Sequence, residues 1–172
     1  MRHSYGNPQI FQWGEGAKYT IGNFCSLAFG VQIFLGGNHR TDWVTTFPFG
    51  HTSKDIFKVS IEGHPATKGD VNIKNDVWVG ANATIYSGVT IGNGAVVAGN
   101  SVVTRDVPDY CIVAGNPAKV VKKRFTDEQI ASLLELAWWD LTDAEIEPLI
   151  PALCSEDVDG LISKLRQRQG LA

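Results

Sequence analysis

Through the middle of the chain an aliphatic residue recurs at every sixth position: Ile73, Val79, Ile85, Ile91, Val97 and Val103. Two residues before each of the last five stands a second inward candidate, Val77, Ala83, Val89, Ala95 or Ser101, each small enough for a slender interior. The positions between hold Asn75, Gly80, Asn82, Gly88, Gly92, Gly94 and Asn100, residue types that turn tightly or take positive φ. Period two within a short run, broken by a corner every six residues, gives a triangular coil of about eighteen residues. Such coils stack at about 4.8 Å, the spacing of paired strands. The expected architecture is a parallel β-helix prism.

The same period is present at Ile21, Leu27 and Ile33, with Tyr19, Cys25 and Val31 as second inward residues, so the coil is expected to start near Tyr19. The interval from Ile33 to Ile73 is not a multiple of six. A segment of about 36–66 must therefore leave the coil and project as a loop, and loops on a rigid scaffold tend to carry function. Beyond Arg124 the pattern turns helical. Thr126-Asp127-Glu128-Gln129 and Thr142-Asp143-Ala144-Glu145 have the form of capping boxes. Ile130, Leu133, Leu134, Ala137 and Trp138 follow at helical spacing, and a further helix is expected over about 157–169. The chain thus divides into a β-helix domain, 1–124, and a helical extension, 125–172, expected to buttress the end of the prism and cover its open strand edges.

A length of 172 residues suits one domain with an appendage. With 15 Lys and Arg against 18 Asp and Glu, a net charge of -3 offers no basic field for nucleic acid or an anionic membrane. No apolar stretch resembles a secretory signal or a membrane span of about 20 residues, and a cytoplasmic location is expected. Cys25, Cys111 and Cys154 are odd in number and irregularly spaced, which suits buried thiols better than a disulfide framework or a metal site.

The projecting loop concentrates chemically useful groups. It reads Gly36-Gly37-Asn38-His39-Arg40-Thr41-Asp42-Trp43, followed by Thr45, Thr46, Phe47, Pro48 and Phe49. Asp42 is a candidate to orient His39 or to bind an acceptor; Asn38 and Trp43 are further candidates to face it. His3, His51 and His64 read as ordinary histidines. A zinc site would need three histidines converging from the coils, and the coils from Ile73 to Val103 hold none, so no metal is expected.

The coil, this loop, the runs Asn75-Asp76-Val77-Trp78-Val79-Gly80 and Ala114-Gly115-Asn116-Pro117-Ala118-Lys119, and Trp138-Trp139-Asp140 occur together and in order. Together they resemble the hexapeptide-repeat xenobiotic acetyltransferases, which include type-B chloramphenicol and streptogramin A acetyltransferases. The resemblance implies a left-handed parallel β-helix, an acetyl-CoA co-substrate, and a homotrimer with the pantetheine arm in a groove between neighbouring prisms. It implies His39 as the general base that takes the proton of an acceptor hydroxyl, a task suited to an imidazole with its ordinary pKa of about 6.5. By the same resemblance Ala81 supplies a backbone N–H to the developing oxyanion. Trp78, Gly80, Ala98, Gly99, Asn116, Pro117, Lys119 and Lys122 are the implied cofactor-binding residues; Trp78 also reads as a packing aromatic. The acceptor stays open between a sugar or polysaccharide precursor and an antibiotic, and between hydroxyl and amine. The short approach to the first coil, compared with the antibiotic enzymes, favours a carbohydrate. A non-catalytic structural β-helix is the third reading, and it would need no loop histidine.

Overall fold

The computed structural model describes residues 1–170. Three parallel sheets form the faces of a triangular prism. The first face stacks β3 (Ser26–Leu27), β6 (Trp78–Val79), β9 (Val96–Val97) and β11 (Cys111–Gly115), onto which β12 (Ala118–Lys123) folds back antiparallel. The second stacks β1 (Gln9–Phe11), β4 (Gln32–Phe34), β7 (Thr84–Tyr86) and β10 (Val102–Val103), and the third β2 (Tyr19–Ile21), β5 (Val71–Ile73) and β8 (Thr90–Ile91). Ile33 lies against Ile85, and Val79 against Val97, so each sixth-position aliphatic residue rests on its counterpart in the next coil. The whole set from Ile73 to Val103 is at most 2% exposed, and this continuous column of apolar contacts holds the coils in register.

Neighbouring coils place Asn75 and Asn93 together at a separation of 18 residues. Asn23 and Asn75 are joined in the same way across 52, so 34 residues, the difference, leave the coil between β4 and β5. The coil also starts earlier than Tyr19: β1 pairs with β4, and Tyr5 bridges Ser26. One isolated inward residue, Ile10 against Ile33, generates no period, so the pattern could not reveal this strand.

The three corners of the prism differ. At the corner between the third and first faces, Phe24, Asp76, Gly94 and Tyr110 all have positive φ. Beside them runs a ladder in which the N–H groups of Asn23, Asn75 and Asn93 each donate to the side-chain oxygen of the next coil's Asn75, Asn93 or Asp109 at 2.6 to 3.1 Å. A left-handed backbone costs a non-glycine residue about 1–2 kcal/mol. Packing offsets it: Tyr110 is buried, and Phe24 lies 4.9 Å from Trp138.

This corner, not the end of the prism, receives the helices α1 (Asp127–Leu136), α2 (Asp143–Ile146), α3 (Ile150–Leu153) and α4 (Val158–Gln169). Arg2 donates to the carbonyls of Trp139 and Leu141, and Arg124 to that of Gly94, tying early and late coils to the extension. The expected end cap is supplied on the first face by β12 instead, since an antiparallel return satisfies the open edge of β11 directly. Both capping boxes form, at Thr126 with Gln129 and at Thr142 with Glu145. α1 stops at Ala137, whose φ of 39° turns the chain, so Trp138–Asp140 is a separate 3-10 turn that buries Trp139. Cys25 and Cys111 are buried, whereas Cys154 is exposed: it caps the four-residue α3, which has no second turn to cover it.

Candidate active site

The corner between the second and third faces releases the long excursion. An antiparallel bridge between Asn38 and Ala66 closes its base with hydrogen bonds of 2.9 and 2.8 Å, and the Asn38 amide donates to Ser87 Oγ in the coil below. Asn38 therefore fastens the loop to the prism. Gly37 must be glycine here: its φ is 75°, and a Cβ would lie 2.6 Å from the Trp13 ring. Glu15 accepts hydrogen bonds from the N–H groups of Gly37 and Trp13. Burial acts to raise its pKa, yet these bonds outweigh it and hold the carboxyl below its ordinary value.

His39 follows this anchored base and is exposed. Its Nδ1 lies 2.7 Å from the carbonyl oxygen of Thr46. A carbonyl only accepts, so Nδ1 carries the hydrogen, and in the neutral ring the lone pair is then at Nε2. Orientation of the ring thus comes from Thr46 rather than from Asp42. Both Asp42 oxygens are engaged by Arg40, which is the main reason its carboxyl is lowered to about 2. Arg40 also stands 5.0 Å above the Trp43 ring, so Arg40, Asp42 and Trp43 form one charged and aromatic cluster beside His39. His64 lies at the end of the same excursion, its ring 4.7 Å from that of His39. His3 binds Asp143, and His51 is exposed. Among the described residues no group of three or more His, Cys, Asp and Glu converges to hold a metal ion.

The third corner, between the first and second faces, collects most of the other candidates. Strand register stacks Val79 on Val97 and Val97 on Val113, which brings Gly80 and Ala81 beside Ala98 and Gly99, with the Asn116-Pro117 turn next along the edge. The coils approach so closely that a Cβ on Gly80 would lie 2.5 Å from the Gly99 nitrogen. Asn100 donates to the Ala81 carbonyl, but the Ala81 N–H donates no hydrogen bond within the described residues. It is an open donor on a half-buried corner. Trp78 stands on the outer surface of the adjoining face, 57% exposed, so it is no packing aromatic within its own prism. Lys119 pairs with Ala114 beside the turn and Lys122 with Ile112 at the far end of the hairpin, so both exposed side chains lie on that face. One prism therefore brings Gly80, Ala98, Gly99, Asn116, Pro117 and Lys119 together along one edge, with Trp78 and Lys122 on the adjoining face, and keeps His39 at another corner.

Residues 70–105 match the profile described as Hexapep, bacterial transferase hexapeptide (six repeats). The chain is 44% identical over 147 residues to a chloramphenicol acetyltransferase of Klebsiella aerogenes, covering 84% of this chain and 70% of that protein. The chain belongs to the hexapeptide-repeat xenobiotic acetyltransferase family. It is 46% identical over 160 residues to a probable macrolide acetyltransferase of Lysinibacillus sphaericus, covering 91% of this chain and 88% of that one. A crystal structure of the polysialic acid O-acetyltransferase OatWY superposes with a TM-score of 0.54 at 30% identity; the match covers 73% of this chain and 53% of that chain.

A relative named for a macrolide is matched over nearly its whole extent, so a short approach to the first coil does not set this chain apart from antibiotic-named members of the family. Sequence reasoning missed the part that four residues play around the candidate site: Trp13, Glu15, Thr46 and His64. Trp13 and Glu15 precede the detectable period, and Thr46 acts through its backbone carbonyl. For His64, the closing position of the excursion, 25 residues after His39 in the chain, was the available signal.

Proposed function

We propose that this acetyltransferase moves the acetyl group of acetyl-CoA to a hydroxyl of a small antibiotic-like xenobiotic, in a homotrimer whose neighbouring prisms complete each site. The observation that carries the reading is the fixed His39 ring, with Nδ1 on the Thr46 carbonyl and Nε2 free. Nε2 takes the acceptor proton as the oxygen attacks, and later returns a proton to the departing thiolate. The Ala81 N–H, unpaired within its own prism, donates to the carbonyl oxygen as negative charge develops there. Acetyl-CoA supplies the thioester. The glycine edge at Gly80 and Gly99 admits its thin pantetheine arm, Trp78 forms a wall, and Lys119 and Lys122 offer charge to its phosphates. Asn38 shapes the base of the loop, while Asp42 acts by holding Arg40 against Trp43 at the acceptor side.

Support for an antibiotic acceptor comes from the two drug-named relatives above 40% identity. The likeness to a polysialic acid O-acetyltransferase favours a second reading, a carbohydrate hydroxyl. Incubating the trimer with acetyl-CoA and chloramphenicol, a macrolide, a streptogramin A, mono- and oligosaccharides and aminosugars, with thiol release as readout, decides between them. Release driven by a drug at a kcat/KM at least about tenfold above any sugar supports the first; the reverse order replaces it with the second. Release restricted to aminosugars would overturn hydroxyl transfer.

For the donor end, Lys119→Ala is expected to raise the acetyl-CoA KM severalfold with kcat nearly unchanged, the signature of binding energy shared by ground and transition states. An unchanged donor KM would assign Lys119 to the hairpin alone.

A further inference from the structure

His64 is the one histidine whose surroundings the proposed chemistry leaves without a purpose. It closes the excursion that His39 opens, and the two rings stand edge to face, 4.7 Å between centroids with an interplanar angle of 81°. Trp43 adds a tilted contact at 6.1 Å. Both His64 ring nitrogens are shut off from solvent and make no full hydrogen bond, with only the nearby Thr46 carbonyl favouring a ring N–H; an unsatisfied buried polar group costs about 1–3 kcal/mol. An apolar side chain would fill the same place without that cost. What His64 contributes is therefore its flat, rigid ring and where that ring stands.

We propose that His64 is a positioning residue for the catalytic base, its ring forming the wall that keeps the His39 imidazole from rotating off the Thr46 carbonyl. The inference rests on the reading of His39 as the base. A single hydrogen bond at Nδ1 fixes one point of an exposed ring and leaves it free to swing about that bond. A second, planar surface at right angles removes the swing. The two together fix where the Nε2 lone pair points. Near-attack geometry is this sensitive: a displacement of about 1 Å can cost about 10²-fold in rate.

The same packing disfavours the charged form of His64. Burial lowers its pKa, and His39, His51 and Arg40, each in its charged form, lower it further, partly opposed by the Thr46 carbonyl. A ring that resists protonation does not set a fixed positive charge beside the base. The sign of the linkage follows. Because the folded value lies below the ordinary 6.5, the loop is at full stability above that pH. It weakens as pH falls and the unfolded loop binds the proton more readily.

The test compares His64→Phe, which keeps a planar ring, with His64→Leu, which fills similar space without one, each made alone and with His39→Ala. His64→Leu should lower kcat by about 10- to 100-fold with the acetyl-CoA KM unchanged, while His64→Phe stays within about threefold of the parent. With His39 already gone, His64→Leu should cost less than about twofold, since a residue that acts through another loses its effect with it. Equal rates for the Leu and Phe variants overturn the proposal, as does a Leu loss of the same size without His39. If His39→Ala alone keeps the parental rate, the base assignment falls first and this inference falls with it. A large His39→Ala loss beside equal Leu and Phe variants leaves the base standing and removes only the wall.

Discussion

Replacing His39 by alanine is expected to lower acetyl transfer by about 10²- to 10⁴-fold, the usual share of general-base catalysis, while acetyl-CoA affinity stays within about twofold. The separation of the two effects follows from geometry. His39 stands on the excursion between the second and third faces, whereas the donor candidates line the opposite corner, so truncating its side chain touches none of them. The ring is exposed and makes one hydrogen bond, to a backbone carbonyl. Its loss therefore removes no packed core, and the melting temperature should hold within a few degrees. Equilibrium dialysis with acetyl-CoA, a thermal melt and single-turnover transfer on the same preparation check all three. A folded His39→Ala protein that binds donor normally and transfers acetyl at close to the parental rate ends the mechanism.

What could be read from the chain before its structure divides along a physical line. The sixth-position residues announced the prism because every coil repeats the same demand, an apolar side chain in a narrow interior, and six repetitions make a pattern. The excursion was legible as a break in that count between Ile33 and Ile73. The capping boxes were legible because Thr126 and Thr142 satisfy helix donors only three residues away. Contacts made once, between distant segments, left no such trace. Glu15 reaches Gly37 across 22 residues, and Arg2 reaches Trp139 across 137. The corner chosen by the helices depends on such contacts, which is why the extension was expected at the end of the stack and lies along its side. Asp42 misled for a related reason. Adjacency in sequence suggested a partner for His39, but the carboxylate turns to Arg40, two residues away, which engages both of its oxygens, while His39 turns to the Thr46 carbonyl.

The arrangement of corners leads to the second large effect. If each site joins the loop of one prism to the glycine edge of the next, two inactive variants with defects on different corners should restore each other when mixed. His39→Ala removes the base and keeps the edge. Ala98→Trp adds bulk to the edge, at a residue that already has a Cβ and is half-buried, and keeps the base. Each homotrimer should have at most about one hundredth of the parental rate. Unfolding a one-to-one mixture and refolding it together distributes the two chains at random around the ring. A site works when its loop comes from an Ala98→Trp chain and its edge from a His39→Ala chain, a probability of one half times one half, so activity should return to about a quarter of the parental value. Mixing the folded proteins without dissociation should restore nothing until subunits exchange, and dilution below the trimer's dissociation range should abolish the recovered activity. A refolded mixture no more active than its components, or a parent that sediments as a fully active monomer, would place base and edge within one prism. The 34-residue excursion would then have to reach back across a face to the glycine corner of its own chain.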